Sequence, residues 1–271
     1  MAEKKRLDAA VFEAGLSESR EKAKTLIMAG VVYVNNQKAD KPGTNVKPED
    51  VIEVRSNPLK YVSRGGLKLE KAIDNFNLDL SGFVCADIGA STGGFTDCML
   101  QNGAEKVYSV DVGYGQLAWK LRSDNRVVNL ERTNFRYVTK EQIDTPLDFA
   151  SVDVSFISLS IITPVLRNLL KDGALAVCLI KPQFEAGKEN VGKKGVVRDK
   201  NIHKSVVKNI TEMLINIGFS IEFLDFSPIK GPEGNIEYLV CIKKTDNPQY
   251  NASTSPEEVV EASHLMLDKK E

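Results

Sequence analysis

Four polar residues of this chain fall where apolar, strand-like runs stop: Asp87 in VCADI, Asp111 in KVYSVDV, Asp153 in FASVDVSF and Lys181 after LAVCLI. Carboxylates and an amine gathered at one sheet edge are the material of ligand recognition and proton transfer. Asp87 opens the run DIGASTGG, whose glycines Gly89, Gly93 and Gly94 let backbone approach a ligand closely and aim free N–H groups at it. The run lacks the lysine of a P-loop, and its G-x-x-x-G-G spacing differs from the dinucleotide fingerprint G-x-G-x-x-G. An acid ahead of the first glycine repels a pyrophosphate and suits a ligand with a positive aminoacyl end. Asp87 for the amino group or a bridging water, Gly89 and Gly93 for close approach, and Asp111 for the ribose hydroxyls make a set that fits S-adenosylmethionine. The plainer alternative is a tight turn with packing glycines.

The elements around these residues must carry them to one edge. From residue 67 apolar runs with strand character alternate with helical patterns: LKLEKAIDNF, strand 84–88, FTDCMLQNG, strand 106–112, QLAWKLRSD and strand 127–130. A strand through FASV, the helix SIITPVLRNLL, strand 173–182 and the helix NIHKSVVKNITEMLINIG follow, before the strands SIEFLDFSP and IEYLVCIKK. Strands separated by helices mean βαβ units and an open parallel sheet. The fold class is α/β, a Rossmann-like sheet of seven strands, with the last two forming a hairpin at its edge because no helix separates them.

Ahead of it, residues 5–58 read as a small α+β unit. RLDAAVFEAGL places Leu7, Ala10, Val11 and Ala14 at helical spacing, and SESREKAKTLIMAG restarts with Ser17 as the N-cap. Strand-like pieces follow at VVYVNN, around residues 41–46 and at DVIEV. Residues 59–66 read as a linker, 67–245 as the large domain and 246–271 as an acidic C-terminal tail. That tail holds six acids and two lysines, which leaves the rest of a chain of net charge −1 at +3, too little for a bulk-charge argument about partners. The cysteines Cys85, Cys98, Cys178 and Cys241 have no C-x-x-C spacing and sit in apolar runs, as buried thiols of a reducing compartment do. No signal-peptide pattern and no apolar stretch of about 18 residues occurs, so a cytoplasmic location is expected. His203 and His264 are far apart in sequence and suggest no metal site.

The stretch SREKAKTLIMAGVVYVN, residues 19–35, resembles the RNA-binding domain of ribosomal protein S4. YVSRGGLKLEKA, DIGASTGGFTDCMLQNGAEKVYSVDVGYGQLAWKLR, DVSFISL and IKPQFEAGKENVGKKGVVRD resemble the TlyA, or hemolysin A, family. The resemblance implies an S-adenosylmethionine-dependent methyltransferase acting on a ribose 2′-hydroxyl of ribosomal RNA, with cytidine as the nucleotide and rRNA or ribosomal subunits as partner. It implies a catalytic set of Lys68, Asp153, Lys181 and Glu237, and it calls for no metal. Around the cofactor it places Asp87, Gly89, Ala90, Ser91, Gly93, Gly94, Phe95, Asp111, Val112, Asn134 and Asp153. Arg20, Lys22, Lys24 and Lys38 of the front unit, Lys60 and Arg64 of the linker, and Lys188, Lys193, Lys194 and Arg198 of the loop after Lys181 are expected on RNA phosphates. The linker departs from the family, with Lys60 and Tyr61 where relatives have arginine and tryptophan. A noncatalytic ribosome-assembly factor and a membrane-active hemolysin are the rival readings, and a monomer and a homodimer remain equally open.

Overall fold

A computed structural model describes residues 4–28, 30–55, 60–192 and 194–267, and the chain divides into two compact units at Lys60–Tyr61. In the first unit strand β1 (Lys5–Arg6) leads into helix α1 (Leu7–Glu13), and helix α2 (Arg20–Met28) follows. Strands β2 (Val32–Val34), β3 (Gln37–Ala39), β4 (Asn45–Val46) and β5 (Ile52–Val54) complete it. They pair as a three-stranded antiparallel sheet, β3-β2-β5, and a two-stranded one, β1-β4. The polar strand β3 has no apolar alternation to announce it and is set by the turn at Asn35 and Asn36, both at positive φ. The cap of α2 is Ser19 rather than Ser17: its Oγ accepts from Lys22 N at 3.2 Å. Leu7, Val11, Ala23, Ile27, Val32 and Val46 make the core of this unit, on the helical faces that the spacing indicated.

The second unit begins with helix α3 (Gly66–Asn75) and alternates strand with helix: β6 (Val84–Ile88), α4 (Gly94–Gln101), β7 (Lys106–Val110), α5 (Trp119–Arg122) and β8 (Val127–Leu130). Next come β9 (Leu147–Val152), α6 (Leu159–Leu169), β10 (Leu170–Ile180), α7 (Pro182–Glu185), α8 (Lys200–Ile217), β11 (Phe219–Phe226), β12 (Tyr238–Lys244) and α9 (Pro256–Leu267). The seven strands run in the order β11-β12-β10-β9-β6-β7-β8. The five from β10 to β8 are parallel, while β12 lies antiparallel to both β10 and β11. This is a mixed seven-stranded, Rossmann-like sheet. Its central strands are buried on both faces, which explains their near-continuous apolar runs.

Two boundaries differ from those read in the sequence. The expected linker already belongs to the large unit from Tyr61, whose ring is buried against α3. The expected tail is not a tail as far as Leu267: α9 packs Val259 and Val260 into the main core. Ser255 starts this helix through a reciprocal capping box, its Oγ accepting from Glu258 N while Glu258 Oε2 accepts from Ser255 N at 2.9 Å.

Candidate functional site

β6 ends at Ile88, and the glycine loop turns over the carboxyl edge of the sheet. Gly89 N and Ala90 N both donate to Val110 O, at 2.9 and 3.1 Å. Gly89 has φ +88, and a Cβ there would stand 2.4 Å from the carbonyl oxygen of Asp153, so only glycine fits. Asp111, just past β7, fixes the other side: its Oδ2 accepts from Ser91 N and its Oδ1 from Gly113 N, each at 2.7 Å. A carboxylate oxygen accepts about two hydrogen bonds, so both oxygens keep a lone pair for a ligand.

Beyond this loop opens a cavity of about 570 Å³. Of the residues expected around a cofactor, Gly89, Ser91, Asp111, Val112, Asn134 and Asp153 line it. Thr133, Arg136 and Phe156 line it as well, and no strand or glycine signal pointed to them. Phe156 is 90% exposed, holds φ +63 and packs its ring 4.9 Å from that of Phe184. A bulky side chain at positive φ is uncommon and is a conformation that sequence does not announce.

Asp87, Ala90, Gly93, Gly94 and Phe95 are not among the lining residues, and each is buried. The carboxylate of Asp87, expected at the amino group or a bridging water, is taken up by hydrogen bonds within the chain. Its Oδ2 accepts from Thr96 N (2.8 Å) and Thr96 Oγ1 (2.7 Å), and Ser151 Oγ donates to its Oδ1 at 3.3 Å. The carboxylate therefore holds the first turn of α4 from beneath, and burial pushes it up to about 7. Gly93, at φ +93, makes room for Leu117 and Leu121, while Gly94 makes room for Ser63.

Adjacent strands deliver the charged residues. Asp153 directly follows β9 and Lys181 directly follows β10. Antiparallel β12 starts where β10 ends, with Tyr238 opposite Ile180, which brings Glu237 to the same edge. α3 adds Lys68. Lys68 Nζ lies 2.6 Å from Glu237 Oε2 and 3.5 Å from Asp153 Oδ2, and Lys181 Nζ lies 2.5 Å from Asp153 Oδ1. Lys181 also donates to Ser155 Oγ at 3.2 Å. The order Glu237–Lys68–Asp153–Lys181 alternates in charge and sums to zero, the arrangement in which four largely buried ions are tolerable. For Lys68 burial opposes the charge, but Asp153 and Glu237 outweigh it and hold the ammonium above the ordinary lysine value. Asp153 and Ser155 also line the cavity, so the quartet and the cavity share a wall.

The model of the FtsJ-like methyltransferases matches residues 61–244, a span that contains loop, cavity and quartet. That of the S4 domain matches residues 5–52. Among curated relatives, the 16S/23S rRNA (cytidine-2′-O)-methyltransferase TlyA of Mycobacterium tuberculosis is 42% identical over 90% of this chain and 91% of its own. YqxC of Bacillus subtilis, named as a candidate rRNA methyltransferase, is 51% identical over 99% of this chain and 97% of its own. The chain belongs to the TlyA/hemolysin A family. A solved structure of a hemolysin candidate from Streptococcus thermophilus superposes with a TM-score of 0.80 at 49% identity, covering 99% of this chain and 98% of that one. Like other members built from an S4 domain and an FtsJ-like domain, this protein is an S-adenosylmethionine-dependent methyltransferase.

The family's linker substitution is absorbed locally. The Tyr61 ring lies over Gly66, where a Cβ would stand 2.4 Å from it, and its hydroxyl donates to Glu70 Oε1 at 3.0 Å. Val62 N donates to Asp97 Oδ2 at 2.8 Å, and Lys120 pairs with that same oxygen at 2.8 Å. Of the cations expected on TlyA-family RNA, Lys22, Lys38, Lys60, Arg64, Lys188, Lys194 and Arg198 are exposed, and Lys193 lies outside the described residues. Arg20 is half engaged, donating to buried Asp8 from Nε (3.2 Å) and Nη2 (3.3 Å), and Lys24 pairs with Glu21 at 2.7 Å. Both ion pairs lie within the first unit. No described helix is long and apolar enough to cross a membrane.

Proposed function

We propose that this chain transfers a methyl group to a ribose 2′-hydroxyl of ribosomal RNA, a cytidine as in its M. tuberculosis relative. The observation that carries the reading is the charge-balanced, alternating quartet that reaches the cavity beside the glycine loop through Asp153. The cavity residues fit the cofactor: Asp111 keeps lone pairs for two ribose hydroxyls, and Gly89, Ser91, Val112 and Asn134 line the same cavity. Bound S-adenosylmethionine supplies a methyl group on a sulfonium, an electrophile that needs only an aligned nucleophile. Once Lys181 has released its own proton, its amine accepts the 2′-hydroxyl proton as the oxygen–carbon bond forms and the sulfur–carbon bond breaks. Asp153 aims the Lys181 amine, and Lys68, itself held by Glu237, aims Asp153. The S4 unit and the Lys- and Gly-rich loop after Lys181 hold the RNA backbone through the cations named above. The work belongs in the cytoplasm, where ribosomes are assembled and the four buried thiols stay reduced.

Lys181→Arg tests the assignment. Arginine keeps the charge but does not surrender its proton in proteins. Single-turnover methyl transfer at saturating RNA and cofactor should fall by roughly 100-fold or more, the typical worth of a general base. A rate close to wild type would make Lys181 a positioning residue.

A further inference from the structure

The loop 187–198 is anchored on the segment that carries Glu237. Its foot is apolar and buried at Val196 and Val197, while Lys188, Lys194 and Arg198 stay exposed. Within the loop, Gly195 N donates to Gly192 O (2.8 Å) and Gly192 N donates to Val196 O (3.1 Å), with Gly195 at φ +72. Asn235, two residues before Glu237 and 3% exposed, grips this turn with both ends of its amide. Its Oδ1 accepts from Val197 N at 3.1 Å, and its Nδ2 donates to Gly195 O at 2.9 Å.

A second hold comes from the other side of Glu237. The carbonyl of Val197 accepts from Nε2 of buried His203 at 2.9 Å. Since a carbonyl cannot donate, Nε2 carries the proton, and in the neutral ring Nδ1 is left to accept from the hydroxyl of Tyr238 at 2.7 Å. Tyr238 is fully buried and follows Glu237 directly. Both backbone groups of Val197 are thus tied, through buried polar side chains, to the residues flanking Glu237.

We propose that Asn235 is a positioning residue: it sets the cations of the 187–198 loop in register with the quartet, so that RNA gripped by the loop arrives with its ribose at Lys181. The proposal rests on the reading of that loop as an RNA-gripping element. A packing role alone would accept any small polar residue. The amide of Asn235 instead meets one N–H and one C=O of the same turn, which only a donor–acceptor pair of this size satisfies.

The test uses the full-length protein and an rRNA substrate that the wild type methylates. Asn235→Ala should raise the KM for RNA about tenfold, the change expected when a hydrogen bond or two that order a binding loop are lost. The rate at saturating RNA should stay within about threefold of wild type, since the reacting groups are untouched. Trypsin should cut after Lys194 and Arg198 at least about tenfold faster, as opening of the turn becomes easier. Wild-type KM together with wild-type cleavage overturns the proposal, and so does a loss confined to the saturated rate, which would place Asn235 with the chemistry. If Asn235→Ala does not fold, Asn235→Asp is read in the same way, because it keeps the acceptor for Val197 N and loses only the donor to Gly195. The variant Lys194→Ala/Arg198→Ala separates the two levels. Unchanged RNA affinity there defeats the RNA reading of the loop, and the cleavage rate of Asn235→Ala then decides the anchor by itself.

Discussion

Removing Lys68 by a Lys68→Met substitution keeps the length of the side chain and deletes one charge from the quartet. The Glu237 side chain is fully buried, and its near partner is Lys68 Nζ at 2.6 Å, with Gln183 Nε2 offering a marginal contact at 3.5 Å. Asp153 retains Lys181. The variant therefore strands one carboxylate in a closed environment, and breaking a buried pair in this way costs about 3–5 kcal/mol. A domain of this size shifts its melting temperature by roughly 2–4 °C per kcal/mol, so the large unit should melt about 6–20 °C lower. The double variant Lys68→Met/Glu237→Gln removes both charges and should recover most of that loss, since replacing a buried pair with neutral groups of similar volume is often neutral or better. Differential scanning calorimetry at neutral pH reads all three proteins, and single-turnover assays should find both variants inactive, so stability and chemistry come apart in the double variant. The folded-state value of Lys68 is raised, so its contribution is fully present below the ordinary value of 10.5 and is lost as pH climbs through the folded value; this alkaline dependence should vanish in Lys68→Met. A single variant that melts with wild type, or a double variant that melts below the single, would refute the buried-pair account.

Three further outcomes follow from the same geometry. Asp111→Ala should weaken S-adenosylmethionine binding in calorimetry by about tenfold or more, through loss of the ribose acceptor and release of Ser91 N, and equal affinities would remove Asp111 from the site. The RNA affinity of the full chain should fall steeply with salt, and each exposed phosphate-binding lysine changed to alanine should reduce that slope by about 1, whereas a flat salt profile would exclude backbone contacts as the source of affinity. Asp8 is held down at about 2, first by the hydrogen bond from Arg6 and also by Arg20, so its contribution to the front unit is present above 3.8 and lost as pH falls toward 2; Asp8→Asn should abolish that acid dependence in the melting of the front unit, and an unchanged dependence would assign it elsewhere.

Much of this site is legible in the sequence because a parallel sheet places its strand ends on one edge. A run such as VCADI or LAVCLI gives both the strand and the residue that leaves it, so Asp87, Asp111, Asp153 and Lys181 can be gathered before any coordinates exist. Whether a gathered residue faces the ligand is a different matter. Asp87 looks like Asp111 in sequence, yet Thr96 and Ser151, on two other elements, close over it while Asp111 remains on the cavity wall. The C-terminal helix is obscured in the sequence for a simpler reason. Six acids in the last 26 residues give the composition of a solvated tail, although the S-x-x-E spacing of Ser255 and Glu258 is the physical signal that starts α9.

Lys68 and Glu237 lie 169 residues apart, and no local pattern links them. Their meeting depends on the one feature in which this sheet departs from a parallel fold. β12 runs antiparallel into the space beside β10, so it presents the residue before its first position, not the one after its last, to the edge where β9 and β10 end. A parallel strand in that place would carry Glu237 to the opposite edge, leaving Lys68 with one carboxylate and the quartet with a net positive charge. The hairpin at the sheet edge is therefore what balances the charge of the site. It also explains the anchor of the 187–198 loop, because the turn entering β12 is the only described segment that holds both Asn235 and Glu237, and the loop that leaves Lys181 must pass beside it. Strand direction, charge balance and placement of the loop are one structural decision, made where no α-helix but only a short turn of 3-10 helix joins β11 to β12 among the described residues.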